Sequence, residues 1–173
     1  MDGELLLQSK IFRVERLRYQ TQSGQPLTKD VVRHPGSVAI LPVLDDGQVC
    51  LIKNHRVTVA TTLFEIPAGT MEPPEPALEC AHRELIEETG YVAQQMIPLA
   101  SFYPAPGILD EQMHLFIAKG LTKGEPAREP GEQIENYVVC LEEAKAMALD
   151  GRIQDGKTIA GILMFAATAQ PSL

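Results

Sequence analysis

A chain of 173 residues with 45% hydrophobic and 22% charged residues can bury a real core, and its composition is neither that of a disordered nor of a fibrous protein. Its formal net charge of −8 argues against sequence-independent binding to nucleic acid or anionic membranes, which needs clustered Lys and Arg, so an anionic ligand would require a bridging cation. The start Met-Asp-Gly-Glu lacks a secretory signal, and the most apolar stretch, Ile159 to Ala169, falls short of the roughly 20 residues that span a bilayer. Cys50, Cys80 and Cys140 have no metal-ligand spacing and are expected to be reduced, buried thiols of a cytoplasmic protein.

In chain order, Lys10 to Tyr19 and Thr28 to His34 read as extended pieces joined by the turn Ser23-Gly24-Gln25-Pro26, an N-terminal hairpin. Ser37 to Leu44 and Gln48 to Lys53 are β-rich runs around Asp45-Asp46-Gly47, a hairpin signal that predicts the start of the core sheet. Leu63 to Pro67 is extended and leads into a loop rich in Gly and Pro. A helix is predicted from Pro76, suited to a first turn, to Thr89, with Gly90 as the left-handed residue that ends it. Met96 to Tyr103, Gln112 to Lys119 and Ile134 to Leu141 read as strands, and Glu142 to Leu149 and Lys157 to Ala169 as helices. This order predicts an α+β fold in one domain, residues 1–173, with N-terminal strands in 1–35 and the core in 36–173.

On the predicted helix, Glu84 and Glu88 lie about 40° apart and Glu87 about 60° to the other side of Glu84, so three carboxylates share one face. Such crowding is unfavourable unless a cation occupies it. A solvated acidic face, helped by the i,i+4 pair Glu79 and Arg83, is the common alternative for helix geometry alone.

The string GTMEPPEPALECAHRELIEETGY resembles the signature of the Nudix hydrolases, Gly-x5-Glu-x7-Arg-Glu-aliphatic-x-Glu-Glu-x-Gly-aliphatic. Gly69, Glu75, Arg83, Glu84, Leu85, Glu87, Glu88 and Gly90 all match, and only Tyr91 departs, at a packing position. The resemblance implies a Nudix-like α/β/α sandwich with a mixed central sheet. It also implies a Mg²⁺-dependent enzyme, with Mn²⁺ as a possible substitute, that splits a diphosphate linkage. Such chemistry suits Mg²⁺, which prefers hard oxygen ligands and is commonly held by a few carboxylates plus substrate phosphates. By the same resemblance Glu84, Glu88 and the backbone carbonyl of Ala68 would hold metal, Glu87 would complete the cluster, and Arg83 and Glu75 would brace the loop against the helix.

The segments FEIPAG and SFYPAPGILDE resemble the ADP-ribose pyrophosphatase branch, whose mark is a Pro some way beyond the signature, here Pro106, followed by Gly107. That branch implies hydrolysis of ADP-ribose or a related nucleoside diphosphate sugar, in a homodimer that exchanges N-terminal strands, with no nucleic acid or membrane partner. Arg56, Pro106, Gly107 and Glu111 are the substrate-binding candidates. Within REPGEQIENYVV, Glu132 matches a metal-ligand position. Pro130 stands where some relatives carry a general base, which leaves Glu129 and Glu87 as candidates. The alternatives are a Nudix pyrophosphatase for GDP-mannose or a nucleoside triphosphate, and a non-catalytic binding module. His34, His55, His82 and His114 lack metal-ligand spacing, and Phe102 and Tyr103 are expected in the core.

Overall fold

The computed structural model describes residues 3–128 and 133–168. It opens with an antiparallel sheet of β1 (Gly3–Gln8), β2 (Arg13–Gln20) and β3 (Pro26–Arg33) in that order. The predicted hairpin is β2 and β3. The apolar run Leu5-Leu6-Leu7 adds a third strand. A bulge sets Leu5 opposite Glu15 but Leu7 opposite Val14, neighbours that point to opposite faces. One face therefore collects Leu5, Leu17, Tyr19 and Leu27 together with Arg13, Glu15 and Arg33.

The core holds two further sheets. β4 (Ser37–Pro42) is central in the first: it runs parallel to β9 (Met113–Lys123) and antiparallel to β7 (Ala68–Thr70), and β8 (Tyr91–Phe102) closes the β9 edge. Pro98 sits on β8, an edge strand, where the missing N–H need not break a ladder bond. The second sheet is antiparallel, with β5 (Gln48–Arg56) between β10 (Ile134–Cys140) and β6 (Thr61–Glu65).

The Asp45-Asp46-Gly47 turn forms, with Gly47 at φ 81° and Leu44 N–H donating to Gln48 O at 2.8 Å. The expected hairpin does not follow. Pairing stops at a lone Val43–Val49 bridge, and β4 and β5 part into different sheets. Both strands are apolar on both sides, with Val38 to Leu41 and Val49 to Ile52 fully buried, so each needs cover on two faces. Stacked sheets supply that cover.

Helix α1 (Ala77–Thr89) starts one residue later than predicted, with Pro76 as its extended N-cap, and ends at Gly90 in the left-handed conformation, φ 78°. It buries Cys80, Ala81 and Leu85 against Val38, Ile40, Phe116 and Ala118. Burying the Leu85 side chain contributes about 2 kcal/mol. The alternate β4 residues Ala39 and Leu41 face the other way and join Leu51, Leu115, Met147 of α2 (Leu141–Leu149) and Ile162 of α3 (Gly156–Thr168). Helices thus cover both faces of a mixed sheet, as expected. Among the described residues no helix is long and apolar enough to cross a membrane.

Two expectations are corrected. Cys140 is exposed, unlike the buried Cys50 and Cys80, because its position on β10 faces away from the core. Tyr103 is 55% exposed, since β8 ends at Phe102 and only Phe102 packs against the core.

Candidate active site

A cavity of about 790 Å³ opens where β7, the acidic face of α1 and the N-terminal sheet meet. Its volume suits a small-molecule ligand. Its lining includes Glu84, Glu87 and Glu88 with Ala68 and Gly69, and also Lys10, Arg13 and Arg33. Both charge signs meet in one cavity.

Side-chain exposure grades along the acidic wall: 12% for Glu84 and 35% for Glu87, while Glu88 as a residue is 5% exposed. Glu88 is drawn inward by the Ala68 N–H, which donates to its Oε2 at 2.9 Å. Glu84 is packed so closely on Gly69 that a Cβ there would stand 1.9 Å from Glu84 Oε1. Gly69 therefore serves a close approach rather than an unusual backbone conformation.

Arg83 threads this cluster. Its Nε and Nη2 donate to the two oxygens of Glu75 at 2.9 and 3.0 Å, and its Nη1 donates to Glu84 at 2.6 Å and Glu87 at 3.0 Å. Glu75 is held at about 2 by the Arg83 guanidinium above all. The hydrogen bonds of Glu75 and Glu84 in turn raise the Arg83 pKa. The expectation that only a dication could offset the crowded carboxylates is thereby corrected: a side chain of the same helix does part of this work.

The donor set fits a hard divalent ion, because it consists of carboxylate oxygens beside a strand backbone, with a glycine leaving room for one of them. Among the described residues no three His, Cys, Asp or Glu side chains already converge as a metal cluster. Part of the reason is that Glu84 and Glu87 turn toward Arg83.

Arg56 also lines the cavity, on β5. Its Nε and Nη2 donate to the two oxygens of Glu65 at 2.8 and 2.6 Å. Glu65 is 1% exposed and accepts a further bond from Lys157 Nζ at 2.6 Å. Burial alone would raise the Glu65 pKa, but the bonds from Arg56 and Lys157 outweigh it and lower the net value. Burial pushes the Cys50 and Cys80 thiols up to about 11 and about 12, so neither is a nucleophile at neutral pH.

Pro106, Gly107 and Glu111 do not line this cavity. Their loop is docked on the N-terminal sheet instead: Val32 N–H donates to Ile108 O, Asp110 N–H donates to Val32 O, and Arg33 pairs with Asp110 at 2.8 Å. Pro106 and Gly107 form the exposed turn, and Glu111 accepts a hydrogen bond from Ser37. Asp110, one position from the expected Glu111, is the residue of this loop that lines the cavity. His34 lines it too, with Nδ1 accepting from Gly36 N–H at 3.2 Å.

Glu129, Pro130 and Glu132 lie outside the described residues. The residues that flank them hold the end of α1: Ala127 N–H donates to Glu87 O, Arg128 Nε to Glu88 O and Asn136 Nδ2 to Thr89 O. Carbonyls that a helix end leaves unpaired are thereby satisfied.

Sequence reasoning missed Lys10, Arg13, Arg33 and Asp110, which no local pattern brings together. It also passed over Glu65, whose one signal was a carboxylate inside the otherwise apolar string FEIPAG.

Comparison with known proteins identifies the family. The chain is 34% identical over 161 residues to the methanol dehydrogenase activator of Bacillus methanolicus, covering 92% of this chain and 87% of the relative. It is 38% identical over 138 residues to the ADP-ribose pyrophosphatase of Bacillus subtilis (strain 168), covering 79% and 75%. A crystal structure of an ADP compounds hydrolase superposes with a TM-score of 0.85 at 20% identity, covering 97% of this chain and 91% of the other, which speaks for the fold. The model of the NUDIX domain matches residues 33–161, from the end of β3 into α3, so the chain belongs to the Nudix family.

Proposed function

We propose that this protein hydrolyses the diphosphate linkage of ADP-ribose or a closely related nucleoside diphosphate sugar, releasing a nucleoside monophosphate and a sugar phosphate. The observation that carries the proposal is the cavity lined by the carboxylates Glu84, Glu87 and Glu88 together with Lys10, Arg13, Arg33 and Arg56. The likeness to an ADP-ribose pyrophosphatase over most of the chain supports the substrate class. As in Nudix hydrolases generally, a divalent metal is required. Mg²⁺ is the proposed ion and Mn²⁺ a substitute.

Glu84, Glu88 and the Ala68 carbonyl would hold the metal, with Glu132 as a further ligand. What a hard dication supplies when bound is neutralisation of the diphosphate oxygens and a more acidic attacking water. Arg56 adds fixed positive charge for the phosphates, in the bidentate geometry a guanidinium favours. Glu87, the most exposed of the three helix carboxylates, can accept the proton of the attacking water, a role for which Glu129 is the other candidate. Leu5, Tyr19 and Leu27 on one face of the N-terminal sheet support a homodimer formed through that sheet. Free thiols accord with a reducing, cytoplasmic setting.

The likeness to a methanol dehydrogenase activator favours a second reading, a regulator acting on another enzyme. A panel of nucleotide sugars and nucleoside triphosphates, assayed with Mg²⁺ and with a chelator, separates the readings. ADP-ribose is expected to turn over at least tenfold faster than any triphosphate, and Glu88→Gln to lower kcat by about a hundredfold or more while the fold is kept. Faster cleavage of triphosphates would overturn the substrate class. Undiminished turnover in Glu88→Gln would overturn the metal role. Stimulation of an alcohol dehydrogenase without any hydrolysis would favour the regulator.

A further inference from the structure

Glu65 is a carboxylate buried behind the cavity wall, shared between Arg56 and Lys157. Taking such charges out of water is costly, and a well-packed apolar residue often serves stability as well or better. A buried ion pair in this place is therefore weak evidence for stability and stronger evidence for geometry. The geometry is specific. Both Glu65 oxygens are used by Arg56, through Nε at 2.8 Å and Nη2 at 2.6 Å, which fixes the plane of the guanidinium. The donors on Nη1 and the second donor on Nη2 are left for other acceptors. The same Glu65 Oε2 accepts from Lys157 Nζ, which also pairs with Asp155 at 2.9 Å, so the carboxylate is tied to the start of α3.

We infer that Glu65 is a positioning residue: its buried carboxylate holds Arg56 at one angle, so that the remaining guanidinium donors meet the substrate diphosphate rather than the metal-binding Glu88. The negative fields of Glu88 and Asp155 also act on Arg56. A guanidinium freed from Glu65 would be drawn to those carboxylates, and at Glu88 it would compete with the cation that residue is to hold. Glu65 thus serves phosphate binding and metal binding together, without touching either. The inference rests on the reading of Arg56 as a phosphate ligand given above.

Steady-state kinetics of the full-length protein with ADP-ribose and Mg²⁺ test it. Glu65→Gln is expected to raise KM about tenfold with kcat changed less than about threefold, and Arg56→Ala to raise it by at least as much. The double variant is expected to add nothing beyond Arg56→Ala, because the two act as one unit. Lys157→Met removes the other half of the network, and is expected to lower the melting temperature while leaving KM unchanged. Arg56→Lys, whose ammonium cannot span both Glu65 oxygens, keeps the buried charge paired and reads the same contact should Glu65→Gln fold poorly; its KM is expected to rise similarly.

An independent readout needs no substrate. The Arg56 Nε–H resonance should be slow to exchange in the wild type and in Lys157→Met, and fast in Glu65→Gln. Wild-type KM in Glu65→Gln or Arg56→Lys, or additive effects in the double variant, would overturn the positioning role. Failure of the wild type to hydrolyse any nucleotide sugar would instead sink the proposed function, while the Nε–H exchange would still decide whether Glu65 orders Arg56.

Discussion

Arg83 shows how one side chain of α1 can serve structure and electrostatics together. Two of its nitrogens are committed to Glu75, across the loop that precedes α1, and a third reaches Glu84 and Glu87. The first contact keeps Glu75 ionised down to about 2, well below its ordinary 4.5. A carboxylate whose pKa falls on folding contributes stability that is fully present above its unfolded pKa and is lost as pH drops toward the folded value. Thermal unfolding of the wild type should therefore lose stability steeply as pH falls from about 4.5 to about 2, and Glu75→Gln should lose less over that window. Equal slopes in the two proteins would show that the pair contributes nothing of the kind.

At the scale of elements, the site depends on how closely β7 approaches α1. Gly69 permits this approach, since the atoms a side chain there would meet first are those of the Glu84 carboxylate. A carboxylate is the mobile end of a long side chain and can swing aside at little expense in stability, but a metal ligand displaced by an ångström loses much of its function. Gly69→Ala is accordingly expected to change stability by about 1 kcal/mol or less while lowering kcat about a hundredfold. Denaturant unfolding and turnover, measured side by side, check both halves. A variant that unfolds readily, or one that keeps full turnover, would contradict the account. The other end of α1 is also held closely, because a Cβ on Gly90 would stand 2.7 Å from Gly124 O and its φ of 78° favours glycine.

The whole molecule is a stacked two-sheet core with a third sheet attached at its N-terminal side. That third sheet leans on the core through the loop after β8, by the Val32 backbone bonds and the Arg33–Asp110 pair, and it brings Arg13 and Arg33 to the cavity. Its exposed apolar face is the basis of the proposed dimer. Leu5→Glu with Leu27→Glu should convert a dimer to a monomer in sedimentation analysis, since two buried like charges on each face are not tolerated in an apolar interface. A wild type that sediments as a monomer, or a double variant that stays dimeric, would remove that interface.

Local rules made much of this legible in advance. The limits of α1 followed from Pro76 and Gly90, the shared face of Glu84, Glu87 and Glu88 from helical periodicity, and the family from the spacing of Gly69, Glu75 and Arg83 around them. The partition of β4 and β5 into separate sheets was not legible, because the turn between them obeys local chemistry while their pairing is set by which faces must be covered. Nor was the rest of the cavity's lining, since Arg13 and Arg33 meet by the register of β2 and β3, and Asp110 joins them only when a remote loop docks on β3. The chain's own residue order determined helix α1 and the shared face of its carboxylates, because periodicity and capping act within a few residues. Only the tertiary structure decided what shares a cavity with those carboxylates and which carboxylate holds Arg56, because contacts between remote segments depend on how buried surfaces are shared across the whole core.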